Sequence, residues 1–421
     1  MRYDVIIVGA GPAGAVLAWK LPQSMKVLVV DSRPLLDESR IHDEDKCCGG
    51  MLDHASQKEL ARLGLGLPKR VQMAPQIFTV RAIDFDSHSE RYYQRNYLNI
   101  DRAEFDRWLL SLAEKRPNVT IRTEEKAILV KEDENAVFLT TRKGQERFTY
   151  EGRYLVGADG AASFVRHYLI RTHHLKLKEA KVYASIQEWH PVKTPPPYYG
   201  AMFDQKVTDY YSWIIPKTVG KGQSLPPGGY MLLGSAIPAG TADSSLSVRS
   251  GLSGVGDAEK ASVNERFERL RQDMLSKGFD VSHPLKRQGA LILRPRMFGS
   301  VFDGKGKVFL CGEAAGLISP SSSEGISFAL RSGEALADSF AKADASEDAD
   351  LDTGKMAQTN SGTNEASVRE QYRKAIRPLR LSIALKSLKS PIMYQPIPRL
   401  TVFKTRALSM KVRKDTEKWG E

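Results

Sequence analysis

Runs of apolar residues and their period divide the chain into a β-α-β opening, a strand-rich middle and a helical end. Arg2–Val8 and Lys26–Asp31 are short, nearly unbroken apolar runs. Pro12–Leu21 lies between them and is rich in small, helix-compatible residues, so the three predict strand, helix and strand. Residues 32–70 predict loop and short helix. Gln76–Phe85 alternates as a strand does, and Asp101 stands where a carboxylate caps a helix reaching about Lys115. Short strands fill residues 119–156. From Lys181 to about Ala236 the strands lengthen, gain aromatic residues and are broken by Pro195–Pro197, which predicts a separate, inserted antiparallel sheet. Residues 238–258 are Gly/Ser-rich and predict a surface loop. Lys307–Cys311 predicts a buried strand, followed by a long helix from about Glu324 to Ala341. Residues 342–366 carry almost nothing apolar and predict a flexible loop.

The expected fold class is therefore α/β: a Rossmann-type dinucleotide-binding domain, an inserted antiparallel-sheet substrate domain and a C-terminal helical tail. The boundaries read as 1–75, 96–180 and 285–341 for the first domain, and 76–95 and 181–284 for the second. Residues 342–366 form the loop and 367–421 a basic helical segment. A length of 421 residues agrees with two domains, and 41% hydrophobic residues suffice for their cores. The uncharged run Val5–Trp19 has the length of a signal-peptide core, but Asp4 precedes it and Gly9, Gly11, Pro12 and Gly14 punctuate it. Strand, turn and helix account for it better. No other apolar stretch nears the roughly 18–20 residues that span a bilayer, so the expected location is cytoplasmic, soluble or peripheral.

Cys47, Cys48 and Cys311 imply no disulfide framework and suit a reducing compartment. The histidines show no ligand spacing, so no metal is expected. The net charge of +12 is concentrated: residues 371–414 hold twelve Lys and Arg and no acidic residue. Apolar residues such as Leu379, Leu381, Ile383, Leu385, Leu388, Ile392 and Met393 run through the same stretch, with a basic helix over Arg377–Lys389 interrupted afterwards by Pro391, Pro396 and Pro398. Two destinations stay open for it, the protein's own acidic surface or an anionic membrane surface. No nucleic-acid partner is expected.

The chemistry begins at Gly9-Ala-Gly11-Pro12-Ala13-Gly14, between strand and helix. In that setting Gly9 permits a tight turn, Gly11 lets the backbone approach a pyrophosphate, and Gly14 lets helix and strand pack closely. The helix N-terminus adds partial positive charge. Asp31 closes the second strand, where a carboxylate can accept from ribose hydroxyls, with Ser32 and Arg33 beside it. Two further strand ends, Gly157–Arg166 around Asp159 and Gly306–Gly316 around Gly312 and Glu313, complete a set of three in fixed order.

Together the three motifs resemble the p-hydroxybenzoate-hydroxylase-type class of FAD proteins. The resemblance implies FAD, with ADP on the first motif and ribityl and pyrophosphate on the third. It also implies Asp where Glu313 stands. Four further stretches resemble the geranylgeranyl reductase family, most closely its CbrA-like branch. Lys46–Gly50 is similar to a loop that passes the flavin ring, and Arg102–Asp106 to a helix start whose Arg faces the cofactor. Tyr211–Lys217 is similar to a Y-x-W-x-F-P strand, with Ile215 in place of Phe, and Pro320–Ile326 to a proline and glycine-rich turn, here with serines. The resemblance implies that Cys48, Gly49, Gly50, Arg102, Gly325 and Ile326 lie at the cofactor. It further implies that Cys48 lends a proton and that Tyr211 and Trp213 face the reacting centre.

The expected activity is FAD-dependent reduction of C=C bonds in an isoprenoid or related lipid-like substrate. A flavin monooxygenase or halogenase is the alternative. Each stretch also has a plainer reading: Cys48 as a buried thiol beside a turn, Tyr211 and Trp213 as sheet core. Gly251–Gly256 lacks a preceding apolar strand and is no second dinucleotide site. The electron donor, NAD(P)H or ferredoxin, must then dock transiently.

Overall fold

The computed structural model describes residues 2–40, 42, 46–177, 180–220, 225–241, 257–295, 297–352, 361–406 and 408–412. In chain order its elements begin with β1 (Arg2–Val8), α1 (Pro12–Lys20), β2 (Val27–Val30), β3 (Met51–Leu52), α2 (His54–Arg62), β4 (Ile77–Asp84) and β5 (Ser89–Asn99). Next come α3 (Arg102–Glu114), β6 (Val119–Arg122), β7 (Lys126–Glu132), β8 (Val137–Lys143), β9 (Glu146–Gly157), α4 (Phe164–Thr172) and β10 (Lys181–Pro191). Then follow β11 (Tyr199–Phe203), β12 (Ser212–Val219), β13 (Gly228–Thr241), α5 (Asp257–Ser276), β14 (Lys286–Arg294), β15 (Gly304–Lys305) and β16 (Val308–Leu310). Four helices close the chain: α6 (Ile326–Asp352), α7 (Ser361–Ala375), α8 (Arg377–Tyr394) and α9 (Pro396–Thr405).

The chain divides into two compact units. The first comprises Met1–Glu44, Asp106–Ala180 and Leu293–Lys386. Its sheet runs β15-β16-β9-β1-β2-β6, and β16, β9, β1, β2 and β6 pair in parallel. Parallel strands are covered on both faces, which is why Val27–Val30 is apolar without alternation and wholly buried. An antiparallel pair, β7 and β8, attaches along β9. Helix α6 crosses α1 so closely that a Cβ at Gly333 would lie 2.4 Å from the Ala13 carbonyl oxygen. From α7, the buried Tyr372 donates to the Leu310 carbonyl at 3.0 Å.

The second unit comprises Asp45–Phe105, Lys181–Ile292 and Ser387–Glu421, built on the sheet β14-β10-β13-β12-β11-β4-β5-β3. The pairs β10–β13, β13–β12, β12–β11, β4–β5 and β5–β3 are antiparallel, and β11–β4 is parallel. Neighbouring residues sort to opposite faces, as the strand period of two requires. Ile83, Ala184, Ile214 and Leu233 pack with Val263, Phe267, Leu270 and Met274 of α5. Ala82, Tyr183, Trp213 and Leu232 pack instead with Tyr394 and Phe403 from the chain end. Both faces are thus covered, which accounts for the aromatic-rich strands.

Several sequence expectations change. Residues 45–75 and 96–105 belong to the second unit, because β3 pairs with β5 and extends that sheet. Residues 342–352 continue α6 and 361–366 open α7, where a flexible loop over 342–366 was expected. The buried register Leu336, Ala337, Phe340, Ala343 carries α6 past the expected end. Strand β13 runs to Thr241 and α5 starts at Asp257, so most of the 238–258 loop, with the Gly251–Gly256 lookalike, lies outside the described residues. Pro391 sits inside α8 and does not interrupt it.

The tail is fastened from within. Arg399, 2% exposed, grips Asp84 with Nε and Nη2 at 3.0 Å each and reaches Asp86 at 2.6 Å. Removing one partner of a buried pair leaves the other charge uncompensated, at about 3–5 kcal/mol. Arg399→Leu is expected to lower the unfolding free energy by about that much in urea denaturation. Adding Asp84→Asn should recover part of the loss, whereas additive losses would show that the two residues do not act as a pair.

Candidate functional site

In the first unit the three turns abut. Gly9 (φ 103°) has no room for a side chain, since a Cβ would lie 2.6 Å from the Ala158 carbonyl oxygen. Gly14 is tighter still, 1.9 Å from the Gly9 oxygen. Gly312 (φ 58°) faces Ala13, whose Cβ would be 2.9 Å away, and its N–H donates to Ser332 Oγ at 2.9 Å. Gly11 differs. It has ordinary extended backbone, and a Cβ there would meet nothing within 4 Å. The protein's own packing therefore does not demand glycine at Gly11, whereas a ligand approaching the backbone would. Pro12 and Ala13 open α1, whose N-terminus has no side-chain cap and offers its dipole to an anion.

Asp31 is buried, and its Oδ2 accepts from the Ala10 N–H at 2.7 Å, tying the glycine turn to the end of β2. Arg33 holds the same carboxylate through its backbone N–H (2.8 Å), Nε (3.1 Å) and Nη2 (3.0 Å), and grips Asp106 at 2.8 Å. Burial alone would raise the Asp31 pKa, but Arg33 and the two backbone N–H groups bring it below the usual carboxylate value. Ser32 is exposed. Asp159 accepts from Ser163 Oγ and from the Val165 N–H at the start of α4, and burial raises its pKa despite those bonds. Arg166, lowered to about 10 by burial, donates to the carbonyls of Ala314 (3.0 Å) and Ser300 (3.2 Å), linking the second and third turns. Glu313 Oε1 accepts from the Leu293 N–H at 3.3 Å. Gly325 precedes α6 and Ile326 begins it, and Ser323 before them holds a left-handed backbone (φ 50°) that glycine adopts more readily.

In the second unit Cys48 Sγ accepts from the Gly50 N–H and from Arg102 Nη1, each at 3.4 Å. Burial would raise its pKa, but Arg102, the Gly50 N–H and Lys46 outweigh it and the thiol is more acidic than usual. Gly49 lies against Ile215, whose Cδ1 would be 2.3 Å from a Cβ there. Trp213 is buried against Gly234, its Nε1 without a hydrogen-bond partner among the described residues, and its ring lies 5.8 Å from that of Tyr211. Tyr211 stacks on Tyr394 at 6.1 Å and 22°. Cys48, Gly49, Gly50 and Arg102 thus form one cluster, and Tyr211 and Trp213 belong to an aromatic group.

Residues that the motifs left unmarked complete both sites. Asp106 is the second carboxylate on Arg33, and its place in the R-x-x-F-D stretch was the available signal. Gln187 donates to the Cys48 carbonyl at 3.3 Å. Lys217 is buried beside Gly50, with its Nζ 3.1 Å from the Gly50 oxygen. Tyr394 stands in a tail read for its charge.

A family model described as an FAD binding domain matches residues 2–354. Protein CbrA of Escherichia coli O6:H1 is 33% identical over 414 residues, 98% of this chain and 96% of that protein. Among solved structures, a geranylgeranyl bacteriochlorophyll reductase-like protein from Thermoplasma acidophilum has a TM-score of 0.64 at 18% identity, covering 94% of this chain and 92% of that one. PqsL from Pseudomonas aeruginosa, described as a probable FAD-dependent monooxygenase, has a TM-score of 0.59 at 17% identity, covering 96% and 99%. At such identities these two share the fold.

The contrast between glycines gives a direct test. Gly11→Val should leave the unfolding free energy within about 1 kcal/mol of the parent while the purified protein loses most of its flavin absorbance. Gly14→Ala should instead destabilise the chain by about 1–3 kcal/mol or more, because backbone cannot yield as a side chain does. Full flavin retention by Gly11→Val would remove the pyrophosphate from this turn.

Proposed function

We propose that this chain, which belongs to the FAD binding domain family and is an FAD-dependent oxidoreductase, reduces C=C bonds of an isoprenoid or related lipid-like substrate. Reducing such a bond needs a hydride and a proton. FAD supplies hydride transfer when bound. The observation that carries the reading is the acidic thiol of Cys48, fixed between Arg102 and the Gly50 N–H and so able to give its proton from Sγ. The resemblance of four stretches of the sequence to geranylgeranyl reductases supports the same assignment.

In this reading Gly9, Gly11, Pro12, Ala13 and Gly14 hold the pyrophosphate, with Asp31, Ser32 and Arg33 on the ribose side. Asp159, Gly312 and Glu313 serve the second and third turns. Cys48, Gly49, Gly50, Arg102, Gly325 and Ile326 serve the ring, and Tyr211 and Trp213 orient substrate. NAD(P)H or a ferredoxin docks transiently as donor.

A second reading, an oxygen-using flavoenzyme, is favoured by Trp213. A buried N–H without an acceptor costs about 1–3 kcal/mol, which an oxygen-bearing substrate would offset. Anaerobic photoreduction followed by mixing separates the two: reoxidation by a polyprenyl lipid supports the reductase, a stabilised oxygen adduct the alternative. Under the first reading Cys48→Ser slows the substrate half-reaction by about 10²–10⁴-fold and leaves flavin reduction by the donor unchanged. Equal slowing of both would reduce Cys48 to a packing residue.

The substrate class also gives α8 a use. Leu381, Leu385, Leu388 and Ile392 recur along one helical stripe and are 52%, 52%, 65% and 50% exposed, with exposed Arg377 and Lys389 beside it. Among the described residues no helix is long and apolar enough to cross a membrane. An apolar stripe flanked by cations suits the surface of an anionic bilayer, where each cation adds roughly 1 kcal/mol. The intact chain is expected to sediment with anionic vesicles at low salt, to release as salt rises, and to ignore neutral ones. Leu388→Ser with Ile392→Ser should weaken that binding; vesicle binding unaltered by the pair would clear the stripe of this role.

A further inference from the structure

Lys217, near the end of β12, is 1% exposed and makes no ion pair with a carboxylate among the described residues. Its Nζ donates to Asn99 Oδ1 at 2.5 Å, the Ile100 carbonyl at 2.9 Å and the Gly50 carbonyl at 3.1 Å. Three oxygens match the three N–H bonds of an ammonium. Asn99, also buried, is fixed in turn: its amide donates to the carbonyls of Pro216 (2.7 Å) and Pro75 (3.0 Å), and its backbone N–H to Gln76 Oε1 (3.0 Å). A buried charge is costly unless its neighbourhood is built for it, and packing alone would be served by Leu or Met.

What this ammonium holds is the turn at Gly50. Gly50 is left-handed (φ 60°), and a Cβ there would lie 2.3 Å from the Ile100 oxygen and 2.8 Å from Lys217 Nζ. Its backbone is fastened at both ends. The carbonyl accepts from Lys217 and from the Ile100 N–H at 2.8 Å, while the N–H donates to Cys48 Sγ at 3.4 Å. Lys217, Gly50 and Cys48 thus form one chain of contacts.

We propose that Lys217 is a positioning residue for Cys48: by holding the Gly50 carbonyl it fixes the turn that aims the Gly50 N–H at the sulfur. This rests on the reading in which Cys48 gives a proton. The charged groups that bear on the pair are Arg102 and Lys46 at the thiol and Asp101 at Lys217. Burial draws the Lys217 pKa down to about 8, against the opposing pull of Asp101 and Cys48, so the ammonium persists at neutral pH.

The test needs no substrate. The FAD-loaded full chain is alkylated with iodoacetamide across a pH series, and modification of Cys48 is followed by peptide mass spectrometry. The midpoint in the parent is expected below the ordinary thiol value of about 8.5. Lys217→Met should raise it by about one pH unit, seen as roughly tenfold slower alkylation at pH 7. Lys217→Leu, which likewise has no donor, decides in the same assay if Lys217→Met does not fold. A folded, flavin-bearing variant of either kind with the parent's midpoint overturns the proposal. A raised midpoint upholds it, even where Cys48→Ser leaves substrate reduction intact and so removes the proton-donor reading.

Discussion

Backbone meets backbone at Gly14, where any side-chain atom would lie 1.9 Å from the Gly9 carbonyl oxygen. That exclusion sets the rest of the first unit. The start of α1 can sit directly on the turn after β1, and Ala158 at the end of β9 can close over the same turn. Gly312 and Gly333 then bring the third turn and α6 onto Ala13 by the same means. Three strand ends converge because no side chain separates them. Gly11 has the opposite character, open space and relaxed backbone, and its identity makes sense through what the turn holds.

The parts legible in the sequence are those in which residue type and period point the same way. Gly9 to Gly14 between two apolar runs allowed little besides β-turn-α, and the aromatic-rich alternation after Lys181 marked the second sheet. Legibility failed where long-range pairing decides. Strand β3 is only Met51–Leu52, too short to show a period, yet its pairing with Asn99 and Leu98 draws the thiol loop into the second unit. Pro391 looked like a helix end, but α8 runs on to Tyr394, whose ring is buried among aromatic residues. Lys217 is the sharpest case. One cation at a strand end normally means solvent, and only the placement of Asn99, Ile100 and Gly50 shows an ammonium enclosed by oxygens.

Buried charge is handled in two ways here. Arg33 lies between Asp31 and Asp106, so charge is matched by charge and the carboxylates also organise the glycine turn. Arg399 repeats that solution on Asp84 and Asp86 and fixes the tail. Arg166 and Lys217 have neutral carbonyl and amide oxygens instead, and burial lowers the pKa of both. Pairs of the first kind are stiff fastenings. A cation held by dipoles has no carboxylate bound to it, and both examples donate to a carbonyl of a turn read as part of the site.

The same distinction limits what the tail can offer an outside partner. Its composition suggests a uniform excess of twelve cations. Arg399 is taken up by the protein's own carboxylates, Arg373 reaches Asp303, and Lys386 lies 5.1 Å over the Phe328 ring. Among the described residues the exposed Arg377 and Lys389 have no such partner, and they border the apolar stripe. The buried side, with Ile383 and Tyr394, packs on the protein itself, while Leu388 and Ile392 stay exposed on the stripe proposed to meet a membrane. Tyr394, which stacks on Tyr211, lies two residues from Ile392 on α8, so the exposed stripe and the aromatic group proposed to meet substrate share one helix.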